Sequence, residues 1–303
     1  MKAAVCTKYG PPEVLKIKEM AKPSPTKNQI SIKVHAGSVT ASDCIIRGFK
    51  VTGIYRVLMH LAIGFKRPRK SILGMVFAGE VESIGQDVSG FQMGDRVFGF
   101  DRFGFGSDAE YKCVSTNSVV TKLASNMTYE EAASIPFGGL IALHYIRKSG
   151  ITKGQKILIY GASGAIGAAA VQLAKYMGAD VTGVCSTSNI KLVRSLGADD
   201  VLDYTKENFM DSGILYDVIL NAVGKKKVAL HPKQALKHKG KHITVDDGAP
   251  KLSVKDLVFL NDLMEKGVMK AVIDRCYPLD RIVEAHKYVD SGHKKGNVIL
   301  VIG

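Results

Sequence analysis

The sequence predicts an α/β chain, with a β-rich first part followed by a doubly wound parallel sheet. Three observations carry that prediction. Up to about residue 120 apolar residues alternate with period two, as in Ile30-Ser31-Ile32-Lys33-Val34-His35-Ala36 and Ala78-Gly79-Glu80-Val81-Glu82-Ser83-Ile84. Beyond about residue 130 short apolar runs alternate with amphipathic helical patterns, as in βαβ units of a parallel sheet. Between the first of those runs and its helix stands a glycine-rich turn, Gly161-Ala162-Ser163-Gly164-Ala165-Ile166-Gly167.

Gly85 and Gly90 punctuate the early strands, and Gly94-Asp95-Arg96-Val97-Phe98-Gly99 reads as a turn entering another strand. The first stretch is therefore expected to be a compact β domain with bends. Glu130-Glu131-Ala132-Ala133 begins a helix, Gly138-Gly139 is expected to break it, and a second helix runs through Leu143 and Ile146. An apolar run at 157–160 precedes a helix over 165–177, and a strand at 180–185 precedes a helix over 190–196. A strand at 217–221 precedes a helix expected over 228–237, and 242–245 closes the series. The last strand, 297–302, follows that series and is a candidate to rejoin the first domain.

At 303 residues the chain is expected to form two domains. Hydrophobic residues make up 46%, enough to offset the entropy of ordering, which excludes a disordered chain. No run approaches the roughly 18 apolar residues of a membrane span. Residues 1–8 lack the long apolar core of a signal peptide, so a cytoplasmic location is expected. The five cysteines, Cys6, Cys44, Cys113, Cys185 and Cys276, stand too far apart for a zinc knuckle or a redox pair, and read as small buried hydrophobes. The net charge of +14 attracts anions without saying which: a phosphorylated cofactor, an acidic membrane surface and RNA all fit.

The glycine turn is the sharpest feature. Gly161 and Gly164 let the backbone turn tightly and approach a pyrophosphate, and Gly167 lets the helix pack close to the strand. The helix then presents its N–H groups and the positive end of its dipole to the phosphates, and Ser163 adds a hydroxyl. A site for the unphosphorylated dinucleotide places an acid about 20 residues further on, to hold the ribose hydroxyls. Here the second strand ends Val184-Cys185-Ser186-Thr187-Ser188-Asn189, with no acid, and Lys191 and Arg194 follow. Hydroxyls and cations welcome a 2′-phosphate that a carboxylate would repel, so NADP is expected over NAD.

At these residues the chain resembles the medium-chain dehydrogenase/reductase superfamily and, within it, the zinc-free quinone oxidoreductase-like branch. The matching residues include Val34-His35-Ala36-Gly37-Ser38-Val39, Asp43 with Arg47-Gly48, Leu73-Gly74 and Phe91-Gln92-Met93-Gly94-Asp95-Arg96-Val97. They continue through the Gly161 to Gly167 turn, Leu196-Gly197-Ala198-Asp199, Asp203-Tyr204 and Gly292-His293. The resemblance implies a GroES-like β-barrel domain over 1–123, completed by 268–303, and a Rossmann NADP-binding domain over 124–267. It implies a cleft between them that holds NADPH. By similarity Ser163, Ala165, Ile166, Ser186 and Tyr204 contact the cofactor, Lys191 lies near the 2′-phosphate, and Asn221 faces the nicotinamide half.

No metal is expected. Where zinc-dependent members carry a cysteine and a histidine this chain has Thr40 and Met75, and the four-cysteine structural loop is missing after Asp95. Without a Lewis acid the expected acceptors are already primed for hydride: quinones, or the β-carbon of an α,β-unsaturated ketone or aldehyde. Thr40, Ser42, Tyr55, a backbone N–H or the cofactor ribose are the candidate donors to the developing oxygen, with Thr40 and Tyr55 foremost. Members of the branch often have Asn-Pro where Thr40-Ala41 stands, which leaves the hydrogen bonding there open.

Residues 51–70 are apolar and basic together, which fits a lid over an apolar substrate or a surface meeting an anionic membrane. The lysines from Lys225 to Lys241 read as a solvated face. They are also the best feature of the alternative function, an NADPH-binding scaffold or RNA-binding protein with little catalysis, although no aromatic RNA motif accompanies them. The expected partner is a small quinone or enone, with no nucleic acid. The chain is short after Gly248, where members of the branch carry a further strand and helix that often pairs a dimer, so a homodimer is left open.

Overall fold

The computed structural model describes residues 1–51, 53–224, 228 and 230–303, with the backbone alone for Ile54 and Tyr55. The Tyr55 side chain and Lys225, Lys226 and Lys227 lie outside the described residues. The chain divides into two compact units, one of Met1–Pro136 with Ile273–Gly303 and one of Phe137–Val272.

The first unit is the GroES-like one. It opens with β1 (Lys2–Cys6) and β2 (Leu15–Glu19), an antiparallel pair, and then β3 (Gln29–Val39). Two helices follow, α1 (Ala41–Gly48) and α2 (Ile54–Ile63), then β4 (Val76–Ile84), β5 (Arg96–Phe100), β6 (Tyr111–Ser115), β7 (Val119–Lys122) and α3 (Tyr129–Ala133). The last segment of the chain supplies β13 (Ile273–Pro278), α8 (Ile282–Asp290) and β14 (Asn297–Val301). One sheet runs β13-β14-β3-β4-β5-β7, with β6 also on β3. Val298 faces Val39 and Ile30 faces Ile84 across the antiparallel ladders, so inward residues of each strand meet in one core around Ile30, Ile32, Phe77 and Leu300.

Both helices between β3 and β4 add to the compact β domain with bends expected for this stretch. The cause in α1 is local. The Thr40 side chain accepts from the Asp43 N–H while the Asp43 carboxylate accepts from the Thr40 N–H, a reciprocal cap that starts the helix. In α2 the apolar residues recur at helical rather than strand spacing.

The second unit holds α4 (Pro136–Ser149), β8 (Lys156–Tyr160), α5 (Ala165–Tyr176), β9 (Asp180–Cys185), α6 (Ile190–Ser195) and β10 (Asp200–Asp203). After these come β11 (Tyr216–Asn221), β12 (Leu236–Thr244) and α7 (Val254–Glu265). Its sheet runs β10-β9-β8-β11-β12, every neighbour parallel, which is the Rossmann order 3-2-1-4-5. Among the described residues no sixth strand follows, and β12 is an edge.

Two expectations are corrected here. Gly138 and Gly139 do not break the helix but lie in the first turn of α4, where a Cβ on Gly138 would come within 2.5 Å of the Ala165 carbonyl oxygen. The helix expected over 228–237 is absent among the described residues. Pro232 starts a short 3-10 turn instead, and β12 begins at Leu236. That strand bulges between its pairings Tyr216↔Leu236 and Val218↔Lys241, with Lys239 at φ 66°, and its lysines charge the exposed edge. No helix of the described residues is long and apolar enough to cross a membrane.

Candidate cofactor site and the Thr40 cluster

The C-terminal ends of β8 and β9 meet at the glycine turn. The Gly161 and Ala162 N–H groups both donate to the Val184 carbonyl at 3.0 Å, fixing the turn to β9. Gly161 sits at φ +80°, and a Cβ there would come closer than 3.0 Å to the Val223 side chain. A Cβ on Gly167 would come closer than 3.0 Å to the Gly161 carbonyl oxygen, so this glycine lets the first turn of α5 lie on the loop. Gly164 is different. It caps α5 at φ −77°, ψ 171°, an ordinary extended conformation, and the nearest atom to its missing Cβ is 3.6 Å away. Nothing in the chain's own packing requires a glycine at 164. The open side of the turn therefore remains bare beside the N–H groups that begin α5.

Ser163, half-buried, accepts from the Asn189 amide at 3.2 Å, and Ser186 accepts from the same amide nitrogen at 3.1 Å. Asn189 is buried, and its carbonyl oxygen has no partner among the described residues. This asparagine was not among the sequence candidates, though it closes the Ser186–Asn189 turn that leads into α6. Ala165 and Ile166 form the first turn of α5, the former buried and the latter half-buried. Lys191 and Arg194 are exposed on α6, with Lys191 in its first turn.

A carboxylate does stand near this rim, brought there by the sheet and not by the sequence. Asp203 ends β10 beside Cys185 of β9. The Thr187 hydroxyl donates to one of its oxygens, and the Thr205 hydroxyl (2.7 Å) and N–H (3.0 Å) donate to the other. Those bonds, Thr187's first, hold the acid below the usual carboxylate range. Tyr204, 53% exposed, stands 6.1 Å ring to ring from Tyr160 at the wall of an open cavity of about 420 Å³, also lined by Phe209, Met210 and Leu230.

Asn221 is wholly buried, and its amide is committed to its own loop. It donates to the Val228 carbonyl at 2.9 Å and accepts from the N–H groups of Val223 (3.0 Å) and Gly224 (3.1 Å). These bonds tie Asn221 to Val223, Gly224 and Val228 just beyond the end of β11.

In the first unit the Thr40 hydroxyl is buried and donates to Asp43 Oδ2 at 2.6 Å. Burial pushes Asp43 up to about 6, against the opposing pull of the Thr40 bonds. Asp108, also buried, is raised well above the usual range by burial first and by the Asp43 charge second. Gly74, at φ +80°, packs directly on the Asp108 carboxyl, and Met75 beside it is buried. At the two positions compared with zinc ligands the donors are thus a hydroxyl committed to a carboxylate and a thioether, a set that does not fit zinc. Among the described residues no group of three His, Cys, Asp or Glu side chains is placed to hold a metal ion.

Comparison with known proteins covers the chain nearly end to end. The family model for the alcohol dehydrogenase GroES-like domain matches residues 26–125, and that for zinc-binding dehydrogenases matches 165–272. The 2-methylene-furan-3-one reductase of Solanum lycopersicum is 31% identical over 99% of this chain and 79% of its own length. The chloroplastic NADPH-dependent alkenal/one oxidoreductase of Arabidopsis thaliana is 30% identical over the same shares. The solved structure of the quinone oxidoreductase from Coxiella burnetii superposes with a TM-score of 0.87 at 27% identity, covering 100% of this chain and 99% of that one.

Proposed function

This chain belongs to the quinone oxidoreductase-like branch of the medium-chain dehydrogenase/reductase superfamily, and we propose that it reduces quinones or α,β-unsaturated carbonyls with NADPH and without a metal. The observation that carries the reading is Gly164. A glycine that neither backbone conformation nor packing demands, at the open face of a strand–turn–helix, is accounted for by a phosphate that needs the space.

Bound there, NADPH would supply the hydride. The chain's own part is to hold and orient. Gly161, Gly164 and Gly167 shape the turn, and Ala165 and Ile166 present the start of α5 to the diphosphate. Ser163, accepting from Asn189, keeps its hydroxyl proton to donate. Ser186, Lys191 and Arg194 favour the 2′-phosphate, and Asp203 offers little repulsion because its carboxylate is already tied to Thr187 and Thr205. Tyr204 and the cavity beside it suit the adenosine half. A zinc-free mechanism rests on the donor chemistry of Thr40 and Met75, and it points to acceptors that need no Lewis acid. Thr40, if it donates to the acceptor oxygen, must release Asp43 to do so, which makes Thr40 and Asp43 one functional pair.

The test is NADPH oxidation by purified protein given phenanthrenequinone or a short enone, run in parallel with NADH and after exhaustive chelation. The reading expects turnover with NADPH, much less with NADH, and no loss on chelation. Binding without turnover across acceptors would leave a nucleotide-binding scaffold, and activity restored by zinc after chelation would overturn the metal-free mechanism.

A further inference from the structure

The helix α2 is built the wrong way round for a soluble protein. Val57, Leu58 and Leu61 are 54%, 54% and 56% exposed and share one helical face, and Phe65, just past the helix end, is 61% exposed. The opposite face is the one that packs. The His60 ring stacks on Phe49 at 4.2 Å, Phe49 meets Tyr9 at 4.6 Å, and the Tyr9 hydroxyl donates to the Gly64 carbonyl at 2.8 Å. The outward apolar stripe is therefore held in place from behind.

Charge completes the picture. Between Asp43 and Glu80 the sequence has seven lysines and arginines and no acidic residue. Five of the seven, Arg56, Lys66, Arg67, Arg69 and Lys70, are exposed on α2 or in the segment that follows it, with Arg56 turned back over the Phe49 ring. Lys70 also donates to the carbonyls of Phe103 and Gly104, which sets Phe103, 73% exposed, beside the basic run.

We infer that this segment docks on an anionic lipid bilayer, with Val57, Leu58 and Leu61 entering the headgroup boundary, Phe65 (half free of its stack on His60) beside them, and the exposed cations meeting lipid phosphates and carboxylates. This occupant accounts for the exposed apolar stripe and for the run of exposed cations with no acid between Asp43 and Glu80 together. A lid over a small apolar acceptor explains the stripe but not five exposed cations. A second copy of the chain would bring two such runs together with no acid between Asp43 and Glu80 to offset the repulsion. The inference is independent of which acceptor or nucleotide the protein uses.

Flotation of the full chain with phosphatidylcholine vesicles, with and without about 30 mol % phosphatidylserine, tests it. The protein should float with the anionic vesicles at low salt, stay behind with neutral ones, and be released as salt rises. Leu58→Ser with Leu61→Ser should weaken partitioning about tenfold or more. Lys66→Glu with Arg67→Glu should weaken it by more than about tenfold, since each basic residue near the surface is worth roughly fivefold. Lys16→Glu with Lys18→Glu, exposed on β2, changes net charge equally and should leave it within about twofold. No flotation at low salt, or equal loss in the β2 control, overturns the proposal. So does a self-association, or an acceptor KM, that the Leu58 and Leu61 changes alter while vesicle binding stays intact.

Discussion

The side-chain amide of Asn189 donates to the Ser163 hydroxyl at 3.2 Å, tying the tip of β9 to the glycine turn that follows β8. Because the same nitrogen also reaches Ser186, one buried residue aligns both hydroxyls proposed to meet the nucleotide. Asn189→Ala removes two hydrogen bonds worth about 1 kcal/mol each, so the NADPH Kd should rise about tenfold or more while kcat at saturating cofactor changes little. Equilibrium binding and a KM-against-kcat comparison read this directly. An equal fall in kcat with Kd unchanged would remove Asn189 from the binding site.

Gly164 and Gly167 should separate cleanly. Gly167→Ala forces a methyl into the Gly161 carbonyl, a rigid neighbour, and should cost about 2–3 kcal/mol of folding stability together with nucleotide binding. Gly164→Ala meets nothing closer than 3.6 Å and should leave stability within about 1 kcal/mol, yet weaken NADPH about tenfold or more by placing a methyl where the diphosphate approaches. Urea unfolding beside fluorescence titration distinguishes the two. If Gly164→Ala binds NADPH normally, the bare turn has another cause.

Much of this arrangement was legible because it is local. The parallel order of the second unit follows from the alternation of runs and helices, and the turn from its own spacing. The helix α1 was also written in the sequence, in the Thr40–Asp43 capping pair, but period-two strands on either side drew the reading toward β structure. What escaped is tertiary. Asp203 lies 16 residues beyond Thr187 and reaches it only because β10 pairs with β9. The amide of Asn189 bridges two loops that no spacing connects. The expected 228–237 helix failed at Pro232, whose ring fits the first turn of a short 3-10 segment and whose neighbours then join a sheet edge.

Discrimination between nucleotides should depend on α6. Lys191→Ala with Ser186→Ala removes a cation and a hydroxyl from the proposed 2′-phosphate position, leaving Arg194 in place. The NADPH-over-NADH preference in kcat/KM should fall about tenfold or more, through weaker NADPH and not stronger NADH. The NADPH Kd of the unmutated protein should also weaken as salt rises, and less steeply in the double variant. An unchanged preference places the phosphate elsewhere.

His286, wholly buried on α8, makes acid stability the sharpest test of the first unit. Its Nδ1 lies 3.5 Å from the Cys44 thiol, and Nε2 has no partner among the described residues. Burial, then the Arg47 charge, pushes the ring down to about 3 from an ordinary 6.5, against the attraction of Asp290. Between those values the unfolded chain binds a proton that the native ring refuses. The contribution is complete above about pH 6.5 and is lost as pH falls toward 3, at up to about 1.4 kcal/mol per pH unit. Asp43 acts in the opposite sense. Raised to about 6 from 3.8, it keeps in the native state a proton the unfolded chain releases, so its contribution is full below about pH 4 and is lost as pH rises to 6. Over pH 4 to 6 the His286 slope opposes that of Asp43 and that of Asp108, which burial raises in the same sense, so the two single variants and not the parent profile separate them. His286→Leu removes only the acid-side loss, so its stability relative to the parent should rise as pH drops below 6.5. Asp43→Asn should instead gain on the parent as pH climbs from 4 to 6. Urea unfolding at a series of pH values checks both, and difference curves that stay flat would show that neither burial governs titration in this core.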